Sequence, residues 1–295
     1  MKNEKTPYLY AFSSIFFWST SAAAFKITLG SLNYIPLLFY TAIVSFFILF
    51  FSLFFIYERG EVRSFDIKGF FFSALLGFLN PFLYYFILFK AYSLLSAQKA
   101  MVLNYTWPLA LTILSVPLLK QKPSRSVLLG MGLSFFGVLI IANIWDSPWS
   151  LRPQEFFGMI LALISSLIWG LYWILNMKDQ RDDRVKLCQN FFWGALYAGI
   201  ALKLSHLPLV MDLKSLLGTL YIGTFEMGVT FIFWLKALKF SSNTSQVGRL
   251  IFVTPFVSLI WISFLTGEGI QMTSIVGLIL VVLGIIGPNI LESKK

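Results

Sequence analysis

Charged and metal-binding side chains are scarce in this chain of 295 residues. Asp, Glu, Lys and Arg together make up 12% of it, and it has one cysteine and one histidine. A single cysteine excludes an intramolecular disulfide, and one cysteine with one histidine cannot supply the clustered ligands of a zinc site. We therefore expect no metal site and no disulfide framework.

Nucleotide-binding and catalytic motifs are missing as well. The chain contains no glycine-rich GxxxxGK[ST] loop for phosphate and no HExxH zinc motif. A membrane enzyme would also need acid, base or metal-ligand side chains clustered near a membrane face, and the sequence has no such cluster. We expect no cofactor, no catalytic residue and no enzymatic activity, and any transport should be secondary rather than driven by ATP hydrolysis in this chain.

Hydrophobic residues, by contrast, make up 58% of the chain. A bilayer core of roughly 30 Å requires about 20 apolar residues per helix, and ten segments qualify. They are Tyr8–Leu29, Ile35–Tyr57, Ile67–Phe89, Ala97–Leu119, Val127–Ile144, Phe156–Met177, Val185–Leu204, Leu213–Leu235, Thr244–Leu265 and Ile270–Ile290. The composition thus predicts an all-α polytopic membrane protein with ten transmembrane helices.

The two halves of the chain resemble each other at an offset of 146 to 151 residues. Recurring pairs are Trp18 with Trp169, Lys90 with Lys236, Pro108 with Pro255, Gly130 with Gly277, and Gly137 with Gly284. Because each half holds five helices, an odd number, the second half must enter the membrane from the opposite side. We expect two inverted five-helix repeats, residues 1–145 and 146–295, which is typical of transporters whose substrate site lies between the repeats.

The net charge of +10 is distributed unevenly. With a cytoplasmic N-terminus, 16 of the 23 Lys and Arg residues fall in cytoplasmic segments and five in external ones. This distribution obeys the positive-inside rule and argues against a nucleic-acid footprint. We expect a multi-pass protein of the cell (cytoplasmic) membrane with both termini in the cytoplasm.

Prolines interrupt equivalent helices of the two halves. Pro108 and Pro255 each lie 11 residues into a predicted helix, near mid-membrane. Each proline removes a backbone hydrogen bond, and the freed carbonyl must face protein or a wet cavity. Pro81, preceded by Asn80, is a third such position. All three are candidate hinges beside a cavity, and the alternative, a passive bend, is about equally supported.

Two ionisable residues lie inside predicted helices. Glu226 is 13 residues from Leu213, near the midplane, and Arg249 is five residues from Thr244. A charge at the bilayer centre costs at least ~2.5 kcal/mol unless it is paired or hydrated. Glu226 is therefore a candidate to bind an ammonium or a coupling proton, and Arg249 to bind a carboxylate. A purely structural ion pair between them is the alternative. Lys26, Lys90 and Lys99 are expected to extend toward the external interface.

Glycines with a seven-residue spacing mark the fifth and tenth helices. They are Gly130 and Gly137 in the first half and Gly277 and Gly284 in the second. Small residues let helix backbones approach closely in lipid. We expect these two helices to pack together and to join the halves.

Several short motifs point to one family. The FWST of Phe17–Thr20, the IWG of Ile168–Gly170, and the FKA and LKA of Phe89–Ala91 and Leu235–Ala237 resemble the drug/metabolite transporter superfamily, and within it the ten-helix EamA-type permeases. NYTWP at Asn104–Pro108 is most similar to the branch that exports aromatic amino acids. The resemblance implies a central cavity lined by helices 1, 3, 4, 6, 8 and 9.

The resemblance and the side-chain chemistry together give a candidate substrate site. Trp and Tyr rings can stack on an aromatic solute or hold a cation over their faces, although most aromatic residues in such a chain simply face lipid. The candidate binding residues are Trp18, Asn80, Tyr84, Asn104, Tyr105, Trp107, Trp169, Trp173, Glu226 and Arg249.

We expect a secondary active transporter that exports amino acids, aromatic or otherwise amphipathic, or related small metabolites. A multidrug or nucleotide-sugar carrier of the same fold is the alternative, and a membrane enzyme or scaffold is less well supported. The expected partners are membrane lipid, a small-molecule substrate and protons as coupling ion. Nucleic acid is not expected, and the protein is expected to be a monomer.

The charge distribution places Ser147, between the two halves, outside the cell. A cysteine at Ser147, in a background in which Cys188 is replaced, is therefore expected to react with a membrane-impermeant thiol reagent added to intact cells. Reaction only from the cytoplasmic side would contradict the predicted topology.

Overall fold

The computed structural model describes residues 5–57, 66–120, 124–142, 152–241, 247–248 and 250–292. These residues form ten helices and no strand. The helices are α1 Lys5–Leu29, α2 Tyr34–Tyr57, α3 Ile67–Leu94, α4 Ala97–Leu119, α5 Arg125–Ala142, α6 Pro153–Lys178, α7 Asp183–Ser205, α8 Leu213–Phe240, α9 Leu250–Thr266 and α10 Met272–Glu292. We call the face of the bundle with Lys5 and Glu292 the termini face, and the opposite face the distal face.

The predicted fold class is confirmed. Within the described residues α2, α3, α4, α6 and α8 each contain a stretch long and apolar enough to cross a membrane, and α5, α9 and α10 contain shorter apolar stretches. Most boundaries differ from the predicted ones by a few residues. The chain is an all-helical membrane protein built from two inverted five-helix repeats.

Two helices run five residues beyond their predicted ends, and the reason is the same in both. The predicted ends precede Lys90 in α3 and Lys236 in α8, where a charge interrupts the apolar run. In the structure Lys90 Nζ lies 5.1 Å from the centre of the Tyr34 ring, and Lys236 Nζ lies 5.4 Å from that of Tyr10. A cation held over an aromatic face is stabilised near the membrane interface, so each helix continues through its lysine.

Side-chain caps begin several of the helices. Asp66 accepts a hydrogen bond from the Lys68 amide, Ser96 from that of Lys99, and Asp212 from that of Ser215. Each cap satisfies an amide that has no partner in the first turn. Hydrogen bonds from Ser215 lower the pKa of the Asp212 carboxyl from its ordinary value.

Both repeats are interrupted in their third and fourth helices. The centre of α3 is a π-helical segment, Phe78–Leu83, and that of α8 is another, Ile222–Val229. The fourth helix, α4, breaks between Asn104 and Trp107, and α9 changes from a 3₁₀ turn to an α-helix at Thr254. Pro108 and Pro255 each lie in the first turn of the segment that follows, where a missing amide hydrogen costs little.

The two repeats are intertwined. The first helix of the first repeat, α1, packs against α8 and α9 of the second, and the first helix of the second repeat, α6, packs against α3 and α4 of the first. In addition, α2 packs against α7 and α8. The most buried part of the molecule is therefore the interface between the repeats, and the interrupted helices lie along it.

Helices α5 and α10 form a close pair through their glycines. A Cβ added to Gly137 would lie 2.6 Å from the Gly277 carbonyl oxygen, and one added to Gly277 would lie 2.7 Å from that of Gly137. A Cβ on Gly284 would collide with the Gly130 carbonyl. Ser134 Oγ donates to the Val281 carbonyl at 3.0 Å across the same contact. The two helix backbones thus touch where a larger side chain has no room.

Replacement of Gly137 by Leu is expected to separate α5 from α10. Overpacking of this kind costs about 1–3 kcal/mol, so the Gly137→Leu protein should give a lower melting temperature in detergent and a lower yield of monodisperse protein. Gly132→Leu is the matched control, because a Cβ at Gly132 meets no atom within 4 Å. Equal melting temperatures for the two variants would show that the glycine contact does not stabilise the bundle.

Candidate functional site

A cavity of about 480 Å³ lies between the repeats. Its walls come from α1, α3, α4, α6, α8 and α9 and from Gly248, which precedes α9. Aromatic side chains dominate the lining, and they are Trp18, Phe25, Tyr84, Tyr92, Tyr105, Trp107, Trp169, Trp173 and Trp234. A volume of this size is within the range of small-molecule sites, which are typically about 300–1,000 Å³.

Glu226 is the acidic residue among the described residues that line this cavity. It lies in the π-helical segment of α8 and is 9% exposed. Ser21 Oγ of α1 donates to Glu226 Oε2 at 2.5 Å, and the Tyr85 hydroxyl of α3 donates to Oε1 at 3.1 Å. Both carboxyl oxygens of this second-repeat residue are thus bound by first-repeat hydroxyls.

The backbone around Glu226 is fixed by neighbouring helices. Trp18 Nε1 donates to the Glu226 carbonyl at 3.3 Å, and Ser45 Oγ of α2 donates to the Gly223 carbonyl at 2.6 Å. A Cβ on Gly223 would lie 2.7 Å from Val44 Cβ, so only glycine lets α8 approach α2 this closely. The carbonyls of Gly223 and Glu226 in the π-helical segment of α8 thus accept hydrogen bonds from α2 and α1. These bonds fix the backbone so that the Glu226 side chain faces the cavity.

A second polar group lies where α4 breaks. Asn104 Nδ2 donates to Ser165 Oγ at 3.0 Å, and Asn104 Oδ1 accepts from the Tyr84 hydroxyl at 3.2 Å. Thr106 Oγ1 donates to Ser166 Oγ at 3.1 Å. These bonds join the broken part of α4 to α6 and α3, and they leave the Asn104 side chain in the cavity wall.

The repeat-related tryptophans Trp18 and Trp169 lie on either side of Phe231. Their ring centres are 5.8 and 5.9 Å from that of Phe231. Trp18 also contacts Trp234 at 5.7 Å, and Trp169 contacts Tyr84 at 4.6 Å with a 32° angle between the planes. The two tryptophans belong to one continuous aromatic wall that spans both repeats.

Most of the predicted binding residues come together in this cavity. Those in its lining are Trp18, Tyr84, Asn104, Tyr105, Trp107, Trp169, Trp173 and Glu226. Arg249 lies outside the described residues, so its predicted pairing with Glu226 stays a prediction. Pro108 and Pro255 lie in the wall helices at the starts of their α-helical segments.

Asn80 is placed differently from the prediction. Its side chain is fully buried and is not part of the cavity lining. Asn80 has extended backbone angles inside the π-helical segment of α3 (φ −147°, ψ 122°), and the next residue, Pro81, packs against Gly194 of α7. Its repeat mate Glu226 lies in a continuous helical segment. Equivalent sequence positions therefore have different surroundings because their backbones differ.

At the distal face, polar contacts join the ends of the wall helices. Lys26 Nζ donates to the carbonyls of Tyr92 at 3.1 Å and Leu95 at 2.5 Å. Glu268, between α9 and α10, accepts from the Ala97 amide at 2.9 Å and the Gln98 amide at 3.3 Å. The cation caps the C-terminal end of α3 and the anion caps the N-terminal end of α4, as the helix dipoles favour.

The expectation that Lys26 and Lys99 extend toward the external interface stays a prediction, and at the distal face both are bound by protein groups. Lys26 binds the carbonyls at the end of α3, which have no partner within their own helix. Lys99 is ion-paired with Glu155, with 2.6 Å between Nζ and Oε1. Lys90, over the Tyr34 ring, remains near the helix end.

Toward the termini face the cavity continues. Its lining there includes Met177 at the end of α6, Leu238 at the end of α8, and Gly248. An adjoining cavity of about 490 Å³ shares Trp107, Leu111, Met177, Gly248 and Ile251 with it and extends to Leu119 at the end of α4. The two cavities thus adjoin, and their lining reaches the termini-face ends of α4, α6 and α8.

Sequence reasoning missed Ser21 and Tyr85, the two direct partners of Glu226. A run of three hydroxyl residues, Ser19 to Ser21, follows Trp18 within an apolar helix, and this was the available signal for α1. For α3 the adjacent tyrosines Tyr84 and Tyr85 gave no indication of which one faces the cavity and which one faces Glu226.

Comparison with known proteins places this fold and cavity in context. The sequence profile of the EamA-like transporter family matches residues 5–143 and again residues 156–289. A solved crystal structure superposes with a TM-score of 0.69 at 18% identity, over 99% of both chains. At that identity the likeness concerns the fold alone.

Three curated relatives carry the description of uncharacterized transporters. One from Clostridium kluyveri is 25% identical over 60% of this chain, and the chain spans 58% of that protein. One from Acidianus ambivalens is 28% identical over 67% of this chain and 76% of its own length. The Bacillus subtilis protein YoaV is 22% identical over 80% of both chains. None of these descriptions states a substrate.

The contacts of Lys26 lead to a stability prediction. Lys26→Met removes two charge-assisted hydrogen bonds at the end of α3, and each such bond contributes about 1.5–3 kcal/mol. We expect a clearly lower melting temperature in detergent. Lys203→Met is the matched control, because Lys203 is an exposed cation in the last turn of α7. Equal melting temperatures would mean that Lys26 is solvated at the interface after all.

Proposed function

Because the chain belongs to the EamA-like transporter family, we propose that it is a secondary carrier for a small amphipathic amino compound. Aromatic amino acids are the first candidate substrates. The observation that carries this proposal is the position of Glu226, a carboxyl in an aromatic cavity between two inverted repeats. The proposed carrier is a monomer of the cell membrane and requires no cofactor.

The cavity chemistry matches a substrate with a cationic group and an aromatic body. A carboxylate in low dielectric binds an ammonium through charge-assisted hydrogen bonds. The rings of Trp18, Tyr84 and Trp169 offer faces for stacking and for cation–π contact within reach of that carboxylate. An amine without an apolar body would bind only through the hydrogen bonds to the Glu226 carboxylate. The aromatic wall therefore favours amines that also carry an apolar group.

Export is the proposed direction of transport. The positive-inside rule assigns the termini face to the cytoplasm, and the lining of the two adjoining cavities reaches that face. At the distal face Lys26 and Glu268 join the wall helices. The described conformation would thus receive a cytoplasmic substrate, and parting of the distal contacts would release it outside.

Alternating access follows from the way in which the repeats interlock. Helix α1 packs on α8 and α9, and α6 packs on α3 and α4, so there are two groups of three helices. A tilt of one group against the other would open the cavity at one face of the membrane and close it at the other. The breaks beside Pro108 and Pro255 are the proposed hinges.

A multidrug carrier of organic cations is the second candidate function. Among the described lining residues there is no Lys or Arg to bind a substrate carboxylate, and Arg249 is outside the described set. A cation without a carboxylate would therefore find all its partners in the described cavity. A nucleotide sugar is less favoured, because its phosphates would lie near the Glu226 carboxyl.

Counterflow in proteoliposomes tests the proposal. Liposomes containing the purified protein are preloaded with unlabelled tyrosine, tyramine, a nucleotide sugar or a quaternary cation, and entry of the same labelled compound is measured. We expect exchange with tyrosine, tyramine or both. Exchange with the quaternary cation alone would favour the multidrug carrier, and exchange with the nucleotide sugar would contradict the role assigned to Glu226.

Glu226→Gln keeps the shape of the side chain and removes its charge. Because a hydrogen bond to a charged group contributes about 1.5–3 kcal/mol, we expect the Kd of the amine substrate to rise roughly 10- to 100-fold at normal folded yield. Glu155→Gln, which alters an acid at the distal end of α6 away from the cavity, should leave the Kd unchanged. A low folded yield of Glu226→Gln, restored by Arg249→Met, would instead indicate a structural ion pair.

A further inference from the structure

The hydrogen-bond partners of the Glu226 carboxyl come from the protein itself. Its two carboxyl oxygens accept one hydrogen bond each, from Ser21 at 2.5 Å and from Tyr85 at 3.1 Å. Both donors come from the first repeat, and Glu226 belongs to the second. The hydroxyls therefore occupy the positions around the carboxyl where a substrate ammonium would otherwise donate.

Ser21 can release Glu226 without losing a hydrogen bond. Its Oγ also lies 3.0 Å from the carbonyl oxygen of Phe17, one turn earlier in α1. A hydroxyl has a single hydrogen to donate, so Ser21 can bond either to Glu226 or to Phe17. When an ammonium reaches Glu226, the serine hydrogen can rotate to the Phe17 carbonyl and no buried donor is left unpaired.

Tyr85 is held in place more firmly. Its side chain is fully buried, and its ring centre lies 4.7 Å from that of Tyr84 and 5.4 Å from that of Phe89. Tyr85 is not part of the cavity lining, so it lies behind Glu226 and cannot be displaced into the cavity. Its hydroxyl fixes one carboxyl oxygen while the other, bound to Ser21, is available for exchange.

We propose that Ser21 and Tyr85 are positioning residues that replace the substrate ammonium when the carrier is empty. A carrier that completes net transport must return without substrate, and during that step the cavity closes around Glu226. A buried carboxylate without partners would be strongly unfavourable. The two hydroxyls remove much of that cost. In the loaded carrier the ammonium satisfies the carboxylate, so the loss of either hydroxyl should slow chiefly the return of the empty carrier. This inference rests on the proposed function.

The test compares exchange with net transport in the same proteoliposomes. Exchange requires only that the carrier change conformation with substrate bound. Net efflux also requires that the carrier change back without substrate. In Ser21→Ala and Tyr85→Phe we expect net efflux of the labelled amine to fall at least tenfold, with counterflow within twofold of wild type per folded protein. In Ser21→Ala the affinity for the amine should not weaken, because the ammonium no longer competes with the serine hydroxyl.

Matched variants separate this role from a general loss of packing. Ser19→Ala removes a buried hydroxyl two residues away that donates only within its own helix, to Phe16, and Tyr197→Phe removes a phenolic hydroxyl remote from Glu226. Both should keep the wild-type ratio of exchange to net efflux. Ser21→Thr retains the hydroxyl and should restore net efflux.

Several outcomes would overturn the proposal. An unchanged ratio in both variants would mean that a bound proton, and not the hydroxyls, satisfies Glu226 in the empty carrier. A parallel fall of exchange and net efflux with weaker amine binding would make Ser21 and Tyr85 part of the substrate site itself. Absence of counterflow in the wild-type protein with every amine would overturn the proposed function as well.

Discussion

The lipid bilayer offers no hydrogen-bond partners, and this constraint governs where every polar group of the protein lies. Each unsatisfied group in hydrocarbon costs several kcal/mol. The described helices contain interrupted backbones in α3, α4, α8 and α9 and a carboxyl at Glu226, and these features lie along the interface between the repeats. In α8, hydroxyl and indole groups of α1, α2 and α3 bind the Glu226 carboxyl and the backbone carbonyls of Gly223 and Glu226. The same interface contains the aromatic cavity into which Glu226 faces. The need to keep polar groups out of lipid therefore also places the candidate binding site between the repeats.

The symmetric scaffold holds an asymmetric site. Both third helices contain a π-helical segment, both fourth helices change at a proline, and both first helices carry a tryptophan that contacts Phe231. At the most polar position, however, the first repeat has Asn80, which is buried behind the wall, and the second has Glu226, which faces the cavity. A duplicated fold can thus keep equivalent helix breaks in both halves while, among the described lining residues, the acidic group comes from the second half.

Much of the fold could be predicted from the sequence, because the number of apolar segments and their repetition determine the number and the arrangement of the helices. The ten apolar segments, and the offset of about 146 residues between the halves, can be counted directly in the sequence. The seven-residue spacing of glycines predicts that α5 packs against α10, and in the structure Gly137 contacts Gly277. The site was predictable only in its residue types. Pro81 marks an interruption of α3, but one proline does not specify the extra rotation of the π-helical segment. That rotation decides which face of α3 meets Glu226. The capping role of Lys26 was missed because it depends on where α3 ends, and hydropathy places helix ends only to within a few residues.

The interlocked packing of the repeats has a consequence for how the chain reaches its folded state in the membrane. Ser21 and Glu226 are separated by 205 residues, and Thr20 is bonded to Tyr221 across a similar distance. During synthesis, α1 therefore enters the bilayer long before the helix that completes its hydrogen bonds has left the ribosome. In that interval the hydroxyls of α1 depend on their own backbone carbonyls, such as those of Phe16 and Phe17. We therefore expect the first repeat to lack part of its hydrogen bonding during biogenesis until the second repeat is inserted in the opposite orientation.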